Sequence, residues 1–162
     1  MRRDLVVDGL SFGSTTIEGD DATENIIEMW KRLDRNDIAC IFLDGLVVSM
    51  YNIIDGEKIF KLTGLPVVAI TFRDSKGLES SICHHFHPRA DEKLGRYKLL
   101  GDREPVLLRT GKRLYVRYWG LSYKLVKNLL DYFTLQGAIP EPIRLAKLLA
   151  RESGKHYLKN RG

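Results

Sequence analysis

Two apolar runs constrain this chain more than any other feature. Ile38-Ala39-Cys40-Ile41-Phe42-Leu43 and Leu65-Pro66-Val67-Val68-Ala69-Ile70-Thr71-Phe72 are short, bounded by turn residues and free of polar alternation. Runs of this kind read as strands buried on both faces, as in a parallel sheet. Between them a helix is expected over 56–63, with Gly64 where helices turn left-handed and stop. Ahead of them another helix is expected from about Asp21. Glu24 stands three residues on in a capping-box arrangement, and Ile26, Ile27, Trp30 and Leu33 recur at helical spacing. Asp34-Arg35-Asn36-Asp37 ends it. Strands alternating with helices place the chain in the α/β class.

The flanks are less regular. Leu5-Val6-Val7 and Thr15-Thr16-Ile17 read as short strands around a turn. Helices are expected over 78–86, 91–100, 121–133 and 140–151, with Pro142 tolerated in a first turn. Pro105-Val106-Leu107-Leu108-Arg109 and Arg113-Leu114-Tyr115-Val116-Arg117 flank Thr110-Gly111-Lys112 as a hairpin. The end, 154–162, reads as frayed and basic. The 162 residues show no repeat or linker, so a single domain over 1–162 is expected. Two isolated cysteines make no disulfide framework, and no apolar run reaches a membrane-spanning length. A cytoplasmic protein that does not enter membranes is expected.

Carboxylates crowd at Glu18-Gly19-Asp20-Asp21-Ala22-Thr23-Glu24, and Asp44 closes the first apolar run. Like charges repel, so such crowding calls for a cation or for the free N–H groups of a helix start. A carboxylate at the C-terminal end of a buried strand sits where open α/β sheets place ligands. Oxygen donors on neighbouring element ends suit Mg²⁺ or Mn²⁺. From the residues alone, Asp44 is equally a turn-capping aspartate. Asp20, Asp21 and Glu24 are equally helix-capping groups. The net charge of +5 is uneven: the stretch 4–28 is acidic, while 96–117 and 144–161 are basic. That pattern permits a polyanionic partner.

The ordered motifs resemble the archaeal endonuclease dU family, which is similar to endonuclease V. Ile17-Glu18-Gly19-Asp20-Asp21-Ala22-Thr23-Glu24 resembles that family's VDGxDATE. Leu43-Asp44-Gly45, Tyr51-Asn52-Ile53-Ile54-Asp55, Gly64-Leu65-Pro66-Val67-Val68 and Pro140-Glu141-Pro142-Ile143-Arg144-Leu145-Ala146 follow in the family's order. The resemblance implies a ribonuclease H-like mixed sheet flanked by helices. Relative to the family the sheet would be N-terminally incomplete, because no GxDDG-like motif or strand precedes Asp4. It also implies a divalent-metal site of Mg²⁺ or Mn²⁺ held by Asp44 and Asp21, with Asp20 and Glu24 as further catalytic candidates. Lys147 stands where the family has histidine. The implied activity is phosphodiester hydrolysis in deaminated, uracil-containing DNA during repair. The alternative is a non-catalytic nucleic-acid-binding relative with an incomplete metal site.

For the nucleic acid, damaged or single-stranded DNA, the candidate contacts are Arg144, Asn52, Arg113 and Arg117. The hairpin's basic and aromatic residues suit phosphate contact and stacking, or else a charged outer face over core aromatics. Asn52 and Asp55 either shape a nucleotide pocket or cap the helix at Gly56. Lys155, Lys159 and Arg161 form a basic tail. Cys83-His84-His85-Phe86-His87 matches no standard closed zinc spacing. Unpartnered strands would invite a strand-donating partner or a homo-oligomer.

Overall fold

A computed structural model describes residues 1–74, 76–87 and 90–159, with side chains through 155. Its centre is a four-stranded mixed sheet: β1 (Ile41–Asp44), β4 (Val67–Thr71), β6 (Arg113–Trp119) and β5 (Glu104–Leu107), in the order β1-β4-β6-β5. β1 runs parallel to β4 with Asp44 opposite Ile70. β6 runs antiparallel to both its neighbours. A small ribbon, β2 (Val47–Val48) with β3 (Asn52–Ile53), follows β1.

β4 shows why the apolar run is unbroken. Val68 and Ile70 face a core completed by Val126 and Leu130 of α5 (Tyr123–Phe133) and Ile143 of α6 (Glu141–Lys159). Val67 and Ala69 face the opposite core, with Ala22 and Ile27 of α1 (Ala22–Leu33) and Ile59 of α2 (Gly56–Thr63). Alternate side chains of one strand therefore feed two cores, and neither face is polar. The fold class is α/β, with a mixed sheet flanked by helices. Antiparallel β6, and not a second parallel strand, covers the far edge of β4. The remaining helices are α3 (Glu79–Phe86) and α4 (Ala90–Lys98). α2 ends at Gly64, whose φ of 69° lets its N–H return to the Phe60 carbonyl.

Three expectations change. Leu5-Val6-Val7 and Thr15-Thr16-Ile17 form no strands, and Val6, Val7 and Ile17 are exposed. A strand needs a neighbour to bond with, and these segments are tied down by side chains instead. The Tyr132 hydroxyl donates to the Arg3 carbonyl (2.6 Å), and Arg35 pairs with Asp8 (2.8 Å). The C-terminal segment does not fray within the described residues. α6 runs to Lys159, while Arg161 and the Lys159 side chain lie outside what is described. Asp21 does not form the capping box, because the buried Asn52 supplies the α1 cap from outside the helix.

Among the described residues β1 has one strand neighbour, β4, and its other edge opens into a groove of about 690 Å³. Trp30, Leu33, Cys40, Phe42, Leu129 and Phe133 help to line it. Burial there pushes the Cys40 thiol up to about 12, whereas Cys83 is exposed on α3. At pH 8 a thiolate-selective reagent is expected to modify Cys83 at least about 100-fold faster than Cys40. Mass spectrometry of timed aliquots checks this, and equal rates would mean that the groove wall opens readily.

Candidate active site

Asp44 is the point where β1 leaves the core. Leu43 before it is buried, while the Asp44 side chain is 40% exposed. Gly45, at φ 79°, turns the chain away immediately after it. Across from it lies α6. Lys147 Nζ stands 2.8 Å from Asp44 Oδ2 and 5.3 Å from the centroid of the Phe72 ring. The helix is oriented by Ile143, which is buried in the sheet core. Arg144, Lys147 and Arg151 are three and four residues apart, so they share one exposed flank. Glu141 accepts from Arg144 Nε at 2.8 Å, which lowers the Glu141 carboxyl and raises the Arg144 guanidinium.

The acidic motif is a clasp. Asp21 accepts from the Thr16 backbone N–H with both oxygens (3.1 Å), from the Thr16 hydroxyl (2.8 Å) and from Asn52 Nδ2 (2.6 Å). The Asn52 amide is the largest cause, with the Thr16 hydroxyl next, holding the Asp21 carboxyl at about 2. Asn52 is fully buried; its Oδ1 takes the Ala22 N–H (3.1 Å) and its Nδ2 also donates to the Thr16 carbonyl (3.0 Å). Asp20 is met by Lys93 (2.6 Å) and Arg96 from α4. Lys93, 7% exposed, also donates to the Gly19 carbonyl (2.6 Å) and the Tyr51 carbonyl (3.3 Å). Glu18 meets His85 at 2.8 Å, and Glu24 pairs with Lys58 of α2. Ser49, Met50 and Tyr51 are all left-handed, with φ of 43°, 56° and 66°. That unfavourable turn persists because the Glu18 N–H bonds the Ser49 carbonyl (2.8 Å) while Lys93 holds Tyr51.

The clasp has a pH signature. The folded chain keeps Asp21 ionised down to about 2, whereas the unfolded chain protonates it near its ordinary 3.8. Its stabilisation is therefore present above the unfolded value and is lost as pH falls through the folded one. Asp21→Asn is expected to flatten the fall in urea midpoint between about pH 4 and pH 2. A variant curve parallel to the parent's would mean that another group governs acid stability.

The sequence-expected residues thus fall into separate places. Asp44 stands with Lys147, whereas Asp21, Asp20 and Glu24 are each engaged by local partners. Asn52, expected to contact nucleic acid, has no exposed surface here and is spent on internal hydrogen bonds to Ala22, Thr16 and Asp21. Asp55 does cap α2, accepting from the Lys58 N–H at 2.8 Å. Arg113 is exposed at the start of β6. Arg117 is half-buried and gives Nε and Nη2 to the Gly101 carbonyl (2.9 and 2.7 Å). Burial lowers its guanidinium, and little of it is left for a phosphate. Trp119 and Tyr118 pack against the two cores, the less exposed of the two readings open to the hairpin aromatics. Lys93 drew no attention in the sequence, because a lysine between Glu92 and Leu94 carries no sign that it is buried.

Among the described residues, no group of three or more His, Cys, Asp or Glu side chains could hold a metal ion. A preformed cage is therefore not what these residues fit. What they leave is one partly exposed carboxylate, Asp44; an ion there would need substrate phosphates and water to complete its shell. Asp44 already has a cation resting on it, the Lys147 ammonium.

A family model described as Endonuclease dU matches residues 1–153. This chain belongs to the Endonuclease dU family. Archaeal relatives agree over nearly its whole length. A UPF0215 protein of Pyrobaculum calidifontis is 34% identical over 99% of this chain and 87% of its own. One of Pyrobaculum aerophilum is 30% identical over 99% and 86%. Among solved structures, a protein of unknown function from Archaeoglobus fulgidus matches with a TM-score of 0.70 at 27% identity, over 83% of this Endonuclease dU chain and 75% of that one. Ciona intestinalis endonuclease V, solved with a 24mer DNA containing an inosine followed by a ribo-adenosine, matches with a TM-score of 0.52 at 14% identity, over 90% and 70%. That second likeness shows the shared fold, the ribonuclease H-like one. No helix among the described residues is long and apolar enough to cross a membrane.

Proposed function

We propose that this Endonuclease dU chain is a nuclease that hydrolyses a phosphodiester in DNA bearing a deaminated base, uracil above all, during repair. The observation that carries the proposal is Asp44. It is a partly exposed carboxylate at the C-terminal end of a core strand, facing the cationic flank of α6. Arg144 and Arg151 on that flank suit backbone phosphates, and exposed Arg113 offers a further contact. Asp44 would hold Mg²⁺ or Mn²⁺, which would supply a Lewis acid and an activated water. Asp20, Asp21 and Glu24 act one step back, by holding the 16–20 loop and the start of α1. A deaminated base is read outside the stack, where its edge is accessible and its weakened pairing makes extrusion cheaper.

One observation favours a second reading. Asp44 is paired with Lys147 beside Arg144 and Arg151, a charge distribution that suits a protein binding nucleic acid without cutting it. The edge of β1 away from β4, which has no strand neighbour among the described residues and opens to an apolar groove, also suits strand addition from another polypeptide. Incubating a labelled uracil-bearing oligonucleotide with Mg²⁺, Mn²⁺ or EDTA separates the readings. Cuts near uracil that need the metal support the nuclease. Retarded but intact DNA, with steep salt dependence in EDTA, supports the binding protein.

A further inference from the structure

We infer that the sheet face around Tyr115 holds a single-stranded stretch of nucleic acid, with an unpaired base on the Tyr115–Arg103 stack and backbone phosphates on Arg73 and Arg113. The inference rests on the reading of the ligand as nucleic acid, and it holds whether or not the strand is cut. Strand register sets out the surface. Leu114 and Val116 of β6 enter the core beneath α5 and α6, so Arg113, Tyr115 and Arg117 point to the opposite face. Tyr115 lies there between Thr71 of β4 and Pro105 of β5, its cross-strand partners. The core on that face takes in Ala69 and Trp119. Beyond them Tyr115 is half-buried, while Pro105, Leu107 and Arg113 are exposed.

Charge decides what suits this surface. The Arg103 guanidinium lies over the Tyr115 ring, 5.5 Å from its centroid, and its only carboxylate nearby is Asp74 at a loose 3.8 Å. A ring backed by a guanidinium is a flat cationic platform for an unpaired base, and every base has a face to offer it. A paired base inside a duplex does not. Arg73 and Arg113, two residues beyond the Thr71–Tyr115 pair, are exposed and have no carboxylate partner among the described residues. Arginines left in this way suit phosphates. Asp44 stands opposite Ile70, so the platform lies at the same end of the sheet as the cationic flank of α6, about 10 Å away across two strand spacings. One bound strand therefore reaches both.

Binding in EDTA tests this apart from cleavage. Fluorescence anisotropy follows a labelled oligothymidylate of roughly 12 nucleotides, and a labelled duplex, over a range of salt. Tyr115→Leu keeps apolar bulk and removes the ring. It is expected to weaken single-strand binding about tenfold and duplex binding less than about twofold, while Tyr115→Phe matches the parent. The double variant Arg73→Gln, Arg113→Gln is expected to flatten the salt dependence by about 0.7 per arginine. In the unaltered protein, a strand carrying 5-iodouracil is expected to photocrosslink to Tyr115, as mass spectrometry of the peptides would show. A parent that binds while all these variants match it and no crosslink falls on Tyr115, with affinity lost only in Arg144→Gln, Arg151→Gln, overturns the platform alone. Equal weakening of duplex and single strand by Tyr115→Leu overturns the single-stranded assignment. A parent that binds neither probe overturns the nucleic-acid reading, and the platform with it.

Discussion

Asp44→Asn is expected to reduce metal-dependent cleavage of a uracil-bearing strand by at least about 100-fold. Even the groups that merely orient a metal ligand are worth roughly 10–100-fold, and Asp44 stands at the strand end, partly exposed and paired with Lys147. The amide keeps the shape and one acceptor oxygen but loses the charge that draws the cation. Because the side chain is partly exposed and leaves the core after Leu43, the fold is expected to be undisturbed, with a stability change within about 0.5 kcal/mol. Cleavage rates with Mn²⁺, beside circular dichroism melts, check both halves. A folded variant that still cuts at the parent's rate would move the chemistry away from Asp44. A parent that never cuts would leave the binding reading standing.

Asn52→Ala is expected to be the costliest single change in the acidic clasp, at about 3–4 kcal/mol. The amide is fully buried and ties three places together: the Ala22 N–H at the start of α1, the Thr16 carbonyl and the Asp21 carboxylate. Its loss leaves a helix-start N–H buried without an acceptor, and that omission costs more than a hydrogen bond gains. The α1 start and the 16–20 loop are expected to exchange amide hydrogens faster than the sheet does. Urea unfolding gives the total and hydrogen exchange gives the location. A loss below about 1 kcal/mol would mean that water or a neighbouring side chain replaces the amide.

The contrast between these two residues explains what could be read ahead of the structure. The position of Asp44 was legible, because an apolar run ending in Asp-Gly puts its aspartate at a strand end once the run is a core strand. Asn52 carried no comparable signal. A polar residue between Tyr51 and Ile53 looks like a surface contact, and only β3 lying against the start of α1 turns it into an internal cap. The partners of the acidic cluster were hidden in the same way. Its carboxylates looked surplus in sequence, but their partners lie far along the chain, in Lys58, His85, Lys93 and Arg96.

By itself the sequence determined the α/β class, the strands β1 and β4, the helices around them, the hairpin of β5 and β6, and family membership. Those features depend on local periodicity, on glycines where helices stop, and on motifs kept in order along the chain. Only the tertiary structure decided that β4 is flanked by an antiparallel strand, that the N-terminal segments are not strands, and that Lys147 sits on Asp44. Strand pairing and ion pairing join residues distant in sequence, and their partners are chosen by packing, which no local pattern records.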